Sequence, residues 1–271
     1  IYPAAAIKQR LIWAGLDPVD GQYARITNAE NSHFTKPHPH YFEEIMAHIS
    51  LEPYEAIMVG DSLRNDIDAG VRTGMTTYWV HEPGVDVPES ADASGSLADF
   101  AACVAQGWLE TLPSKLLEPA HIIPRLTASI AALHGTVHGI PDRFWNQRPD
   151  PKEWTPLEVV MHLKEYELES RHNALQMIVT QDNPFIRGAT LPPQPGERDL
   201  SGCDGWEVVH QFVQERQQTI AYLESLPADA WNRPARHGFY GPTTLLDMAA
   251  ILTRHDQLHI RQLCQTIGQC E

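Results

Sequence analysis

The apolar residues of this chain change their spacing near residue 115. Over the first hundred residues, short apolar runs alternate with amphipathic segments. From residue 118 onward, apolar residues recur three and four positions apart, which is the period of helices that bury one face. A chain of 271 residues is long enough for two domains of ordinary size. We therefore expect an α/β domain over residues 1–112 and a helical domain over residues 118–271.

The first part has the pattern of α/β units. The residues predict strands at 24–27, 56–60 and 76–80, and helices near 38–50, 63–73 and 97–111. This order is a β-α-β pattern and implies a parallel sheet. The turn-rich, acidic stretch after residue 80 predicts no further strand.

The second part predicts an all-α four-helix bundle. Its helical periods fall near residues 118–138, 155–179, 206–226 and 243–267. The segment between the second and third helices is rich in proline and glycine, and it is long enough to be the crossover connection of some four-helix bundles.

Charge and composition exclude several classes of partner. The formal net charge is −15 and both parts are acidic, so neither offers the basic surface that nucleic acid requires. No apolar run reaches the roughly 18 residues of a membrane span, and the amino terminus lacks the features of a secretion signal. The four cysteines form no C-x-x-C pair, which is typical of free thiols in a reducing compartment. We expect a cytoplasmic protein without nucleic-acid or membrane partners.

Three histidines of the second part are candidate metal ligands. His255 and His259 are four residues apart on the last predicted helix, so both imidazoles project from one face. His162 shares its side of the second helix with Val159 and Leu163, which predicts a ring that faces the bundle core. Three neutral imidazoles leave one or two coordination positions open, as in a reactive metal site. The alternative is a hydrogen-bonded core histidine and a chance pair on the last helix.

The segments around these histidines resemble a known family. WTPLEVVMHL, followed much later by HDQLHIRQL, is similar to the DinB-like (YfiT-related) superfamily of metal-binding four-helix bundles. The resemblance covers about 150 residues and implies that His162, His255 and His259 bind zinc, nickel or a similar divalent ion. Some members of this family are thiol-dependent transferases, so a small-molecule thiol is an expected partner. Members are often dimeric, which makes a second copy of this chain a candidate partner.

A second constellation lies in the first part. Asp61 follows the predicted strand at 56–60 and Asp66 begins the next helix, so the two carboxylates suit Mg²⁺, which prefers oxygen ligands. Lys36 could supply a cation to a phosphoryl group. The alternative is a solvated loop.

These residues also resemble a family. KPHPHYFEEIM, followed by MVGDSLRNDIDAGVRTGM, is similar to the haloacid dehalogenase-like (HAD) hydrolase superfamily, in its lysine motif and its final acidic motif. The resemblance implies that Lys36 stabilises an aspartyl-phosphate, and that Asp61, assisted by Asp66, holds Mg²⁺. The family's aspartate nucleophile lies in an amino-terminal D-x-D motif, which we do not find here. We therefore expect an incomplete α/β fragment with an exposed strand edge and no phosphatase activity of its own.

Three functional hypotheses follow. In the first, the bundle is a metal-dependent transferase or hydrolase that accompanies an incomplete HAD-like module. In the second, the bundle binds metal without catalysis and serves as a binding or dimerisation module. In the third, the parent protein is mainly a Mg²⁺-dependent phosphatase that acts on a phosphorylated substrate.

Overall fold

A computed structural model describes residues 2–18, 21–113, 115, 117–188 and 191–270. The chain divides into two compact units, residues 1–117 and residues 118–271.

The first unit is a small parallel sheet with helices. Among its described residues, the sheet has the order β1-β2-β3, and both pairs of neighbours are parallel. The strands are β1 (Ile57–Gly60), β2 (Thr76–Val80) and β3 (Ala93–Gly95). The helices are α1 (Ala4–Trp13), α2 (Pro39–Ile49), α3 (Asp68–Arg72) and α4 (Leu97–Ala105). A π-helical turn, Leu63–Ile67, precedes α3.

The predicted parallel sheet with helices is confirmed for this unit, and two details of the prediction were wrong. Residues 24–27 form no strand. The Ile26 carbonyl accepts hydrogen bonds from the side-chain amides of Asn28 and Asn31, at 3.2 and 2.9 Å, so local turn bonds replace a strand ladder. The strand β3 was not predicted, because it is three residues long and its small residues Ala93, Ser94 and Gly95 carry no apolar pattern.

The second unit is helical, as predicted. Its helices are α5 (Pro119–Val137), α6 (Pro156–Ser170), α7 (Gln176–Thr180), α8 (Gly205–Glu224) and α9 (Leu245–Cys270). A π-helical turn, Arg171–Leu175, joins α6 to α7, so the predicted second helix consists of three consecutive helical pieces. None of the described helices combines the length and the apolarity needed to cross a bilayer.

The bundle also carries a small sheet that the sequence did not predict. Its strands are β4 (Phe185–Ile186), β5 (Pro234–His237) and β6 (Gly241–Thr244). β4 pairs with β5 in parallel, and β5 pairs with β6 antiparallel. Each strand has four residues or fewer and two of the three contain proline, which hides the alternating pattern of a strand.

The two helices that bear the histidines begin at well-defined caps. Thr155 caps α6: its hydroxyl accepts from the Glu158 amide, and the Glu158 carboxylate accepts from the Thr155 amide. Thr244, immediately before α9, and Asp247, in its first turn, make the same reciprocal pair. Such capping boxes fix where a helix begins and therefore which residues face the core.

A buried arginine connects the four long helices. Arg216 of α8 donates to Asp256 of α9, Glu167 of α6 and Ser129 of α5. Arg216 and Glu167 are fully buried, and Asp256 is 1% exposed. Burial alone would lower the pKa of Arg216, but the adjacent carboxylates of Asp256 and Glu167 raise it, so the guanidinium stays charged. Burial raises the pKa of Asp256, although Arg216 opposes this shift.

Candidate metal centre

The structure brings His162, His255 and His259 together. His162 lies on α6, and the other two lie one turn apart on α9. One ring nitrogen from each histidine can be chosen so that all three atoms lie within 4.8 Å of one another. The three residues are the only such group of histidine, cysteine and acidic side chains among the described residues.

The spacing of the ring nitrogens suits a shared ion. Nε2 of His162 and Nε2 of His255 lie 2.9 Å apart. Two nitrogens that each bind one tetrahedral zinc ion at about 2.1 Å are roughly 3.4 Å apart. If the two rings move slightly apart, both nitrogens can therefore bind the same ion.

The protonation state of the cluster is that of a metal site. Burial lowers the pKa of His162 to about 4, and the neighbouring His259 and Arg198 add to this shift. Burial also lowers the pKa of His255 to about 2, with contributions from His259 and His162. Burial lowers the pKa of His259 as well. The rings are neutral near pH 7, which is the form of imidazole that binds a metal.

Two side chains hold these rings by packing. Tyr166 stacks on His255, with ring centroids 3.5 Å apart and planes 10° from parallel. Trp154 stacks on His259 at 5.9 Å and contacts His162 at 5.0 Å. These aromatic contacts restrict the rotation of the imidazoles.

Hydrogen bonds at the outer ring nitrogens differ between the histidines. His259 Nδ1 is 2.8 Å from Gln262 Oε1, and because this amide oxygen only accepts, Nδ1 carries the proton and Nε2 keeps its lone pair. Such a partner orients a metal-binding histidine. His255 Nδ1 is buried and has no hydrogen-bond partner. With Nε2 turned toward the other two histidines, this Nδ1 carries the ring proton without an acceptor, which is a cost that the fold bears at this site.

Two carboxylates, Glu165 and Glu169, follow His162 on α6. Glu165 is about half exposed and pairs with Arg198 at 2.5 Å. Glu169 lines a neighbouring cleft. Gln262 was missed, although it lies three residues after His259 on the same helical face, a spacing that brings side chains together.

In the first unit, one cavity of about 580 Å³ is lined by all three predicted site residues, Lys36, Asp61 and Asp66. Lys36 Nζ donates to Asp66 Oδ1 at 2.7 Å, and the Ser62 amide donates to Asp66 Oδ2 at 3.0 Å. Asp61 is exposed at the carboxyl end of β1. A cation and two carboxylates at the end of a parallel strand form a polar site at the usual ligand-binding edge of such sheets.

Gly60 allows Asp66 to approach this edge. A Cβ atom at residue 60 would lie 2.4 Å from Asp66 Oδ2, which is closer than any real contact. Any larger residue would displace the carboxylate that Lys36 binds.

The second unit is a helical bundle in which three histidine nitrogens lie close enough together to share one ion. The model of the DinB superfamily matches residues 125–263, which is about half of the chain. This chain belongs to the DinB superfamily. The model described as HAD-hydrolase-like matches residues 33–102, where Lys36, Asp61 and Asp66 lie.

One solved structure and one curated sequence are similar to the bundle. YfiT from Bacillus subtilis, described as a probable metal-dependent hydrolase with an unusual four-helix bundle topology, superposes with a TM-score of 0.50 at 18% identity. The match covers 59% of this chain and 93% of YfiT. The uncharacterized protein YuaE of the same bacterium is 22% identical over 139 residues, which are 46% of this chain and 84% of YuaE.

A relative of the first unit is a phosphatase by name. Glyceraldehyde 3-phosphate phosphatase from Pyrococcus furiosus is 46% identical over 44 residues, which are 16% of this chain. The matched residues are 18% of the length of this phosphatase, 19% of chronophin from Bos taurus and 26% of a haloacid dehalogenase-like hydrolase domain-containing protein from Arabidopsis thaliana.

Proposed function

We propose that the DinB-like unit binds one divalent ion, zinc or nickel, through His162, His255 and His259 and activates a small-molecule thiol or water. The observation that carries this proposal is the cluster of three neutral, ring-packed imidazoles whose nitrogens lie within 4.8 Å. Three protein ligands leave at least one position for an exchangeable ligand. A bound divalent ion lowers the pKa of a thiol or water and so supplies a nucleophile near neutral pH.

The side chains of the site have separate roles in this proposal. His162 comes from the buried face of α6, and the half-buried His255 and His259 border the side that solvent can reach. Tyr166 and Trp154 hold the rings in place, and Gln262 holds the tautomer of His259. In a thiol transfer, sulfur forms a bond to an electrophilic carbon, the leaving group takes the bonding electron pair, and the thiol proton passes to solvent.

Thiol-dependent turnover tests the proposal. The metal-free chain is reloaded with Zn²⁺ or Ni²⁺ and assayed with 2-mercaptoethanol and an aryl halide, and separately for hydrolysis of an aryl ester. The proposal is supported if one of these activities requires the metal. That activity must also be lost in His259→Ala and retained in His210→Ala. His210 is exposed on α8, away from the three ligands. Metal binding without turnover in either assay would favour a non-catalytic binding or dimerisation role instead.

The first unit supports a second candidate function for a longer parent protein. One cavity is lined by Lys36, Asp61 and Asp66. This arrangement favours Mg²⁺ bound by the two carboxylates, with the lysine beside it in contact with a phosphoryl group. In this alternative the parent is mainly a phosphatase and the bundle is an accessory module. Magnesium binding that is lost in Asp61→Asn, measured by calorimetry, tests the cation site.

A further inference from the structure

A cleft of about 370 Å³ opens two to three helical turns along α6 from His162. A smaller cavity beside it shares Glu169, Asn173 and Arg187 and is also lined by Tyr166 and His237. Tyr166 is therefore common to the metal centre, where it stacks on His255, and to this cavity. The side chains that line the cleft are Glu169, Asn173, Met177, Phe185 and Arg187, together with the backbone of Gly188.

Two polar side chains of the cleft have no hydrogen-bond partner among the described residues. Arg187 and Asn173 are exposed, and neither side chain makes a hydrogen bond or ion pair with another described residue. A guanidinium presents a planar fork of donors that matches a carboxylate, and an amide can add a further hydrogen bond. Met177 and Phe185 supply apolar surface, and Glu169 contributes a negative charge.

The backbone around the cleft fixes where these groups lie. The small sheet holds the segment before Arg187, because the Gly238 amide donates to the Ile186 carbonyl at 2.9 Å. Asn173 lies on the π-helical turn Arg171–Leu175, a feature that often occurs at functional sites. The fold thus places an arginine that follows the small sheet and an amide on the second helix of the bundle beside the same cleft.

His237 adds a neutral donor. Its Nδ1 accepts hydrogen bonds from the amides of Phe239 and Tyr240, at 3.1 and 3.2 Å, so the ring proton resides on Nε2. Burial lowers the pKa of this ring, which keeps it neutral. The cavity next to the cleft therefore has a wall that can donate a hydrogen bond to a polar ligand.

The helical rise along α6 sets the length of a ligand that would reach both the cleft and the three histidines. At about 1.5 Å per helical residue, Asn173 lies roughly 10 Å from Tyr166 and roughly 16 Å from His162 along the axis. An extended peptide covers about 3.3 to 3.6 Å per residue, so three to five residues span this distance.

We propose that this cleft binds the carboxylate end of a peptide-sized substrate whose other end reacts at the three histidines. Arg187 pairs with the carboxylate and Asn173 donates a hydrogen bond to it. The inference rests on the proposed function, since it takes the metal centre as the reacting end. The substrate is then a carboxylate-bearing molecule of about tripeptide size.

Calorimetry with a ligand that lacks a thiol tests the cleft separately from the chemistry. S-methylglutathione is a tripeptide with two carboxylates and a blocked sulfur, and it is titrated into the zinc-loaded wild type, Arg187→Gln and Arg261→Gln. Arg261 is an exposed arginine of α9 without a side-chain partner among the described residues, so its replacement is a control for the loss of one charge. We expect about tenfold weaker binding in Arg187→Gln, since one charge-assisted pair is lost, and no change in Arg261→Gln.

Absorption of the cobalt-loaded protein tests the proposed function in parallel. Glutathione and 2-mercaptoethanol should both produce a thiolate-to-cobalt band, and Arg187→Gln should require more glutathione but no more 2-mercaptoethanol. Absence of the band would remove the thiol function and leave the calorimetry to decide the cleft. Equal affinity of Arg187→Gln and Arg261→Gln for S-methylglutathione, or no binding to the wild type, would overturn the inference.

Discussion

The ring of Tyr166 stacks on the imidazole of His255 with centroids 3.5 Å apart, so two residues on different helices behave as one packed unit. The hydroxyl of Tyr166 is hydrogen-bonded to the side chain of Ser170. Burial raises the pKa of Tyr166 to about 12, so the phenol stays neutral. The stacking face, more than the hydroxyl, is therefore the part of Tyr166 that orients the histidine.

Replacing Tyr166 tests this relationship. We expect Tyr166→Phe to retain the zinc affinity of the wild type within about twofold. Tyr166→Ala should lose roughly tenfold, the lower end of the range for groups that orient metal ligands. Competition with a chromophoric chelator measures both values. Equal affinities for the Ala and Phe variants would show that the stacking does not orient His255.

The metal-free bundle should become less stable as the pH falls. The pKa of His162 is lowered to about 4 in the folded protein, whereas an unfolded imidazole has a pKa of about 6.5. Between these values the unfolded chain takes up a proton that the folded chain does not, so the free energy of unfolding decreases by roughly 1.4 kcal/mol per pH unit for this histidine. Urea denaturation from pH 7 to pH 4 measures the slope.

The histidine contribution is isolated by comparison with His162→Phe. The variant removes one titrating imidazole, so its stability should fall less steeply over the same pH range. Parallel curves for the two proteins would contradict the assignment of the slope to His162. The comparison also removes the opposing effect of Asp256, whose pKa is raised by burial.

The buried arginine should be a strong determinant of stability. Arg216→Met leaves the carboxylates of Glu167 and Asp256 buried without their cation, which costs about 3 to 5 kcal/mol in comparable cases. Replacing all three residues by apolar ones should recover most of this loss. Urea denaturation of the metal-free proteins gives the values, and a loss below 1 kcal/mol for Arg216→Met would contradict the network's role.

The first unit should bind Mg²⁺ but release no phosphate. Among the described residues, Asp61 and Asp66 are the only carboxylates that line its cavity. Both have roles in holding a cation or Lys36, and attack on phosphorus needs a further nucleophile. Phosphate release from an aryl phosphate by the purified 271-residue chain, abolished in Asp61→Asn, would show this account to be wrong.

The sequence predicted those features that depend on period and spacing. The long helices of the bundle follow from apolar faces with a period near 3.6, and the juxtaposition of His255 and His259 follows from a four-residue separation on one helix. The place of His162 opposite them could be anticipated because Val159 and Leu163 define its buried side.

Features that depend on tertiary contacts could not be predicted. β4 has two residues and pairs with a strand nearly fifty positions later, so no local pattern marks it. The pairing of Arg216 with Asp256 places charges inside a helix interface, where sequence patterns predict apolar residues. At residues 24–27, side-chain hydrogen bonds from Asn28 and Asn31 to the Ile26 carbonyl take the place of strand pairing.

Metal stoichiometry in matched variants shows whether His162, His255 and His259 share one ion. The wild type and His210→Ala should each bind one zinc ion per chain in calorimetry and metal analysis. His259→Ala should lose affinity at least tenfold, because two imidazoles remain where three nitrogens meet within 4.8 Å. The same stoichiometry and affinity in all three proteins would contradict the metal centre.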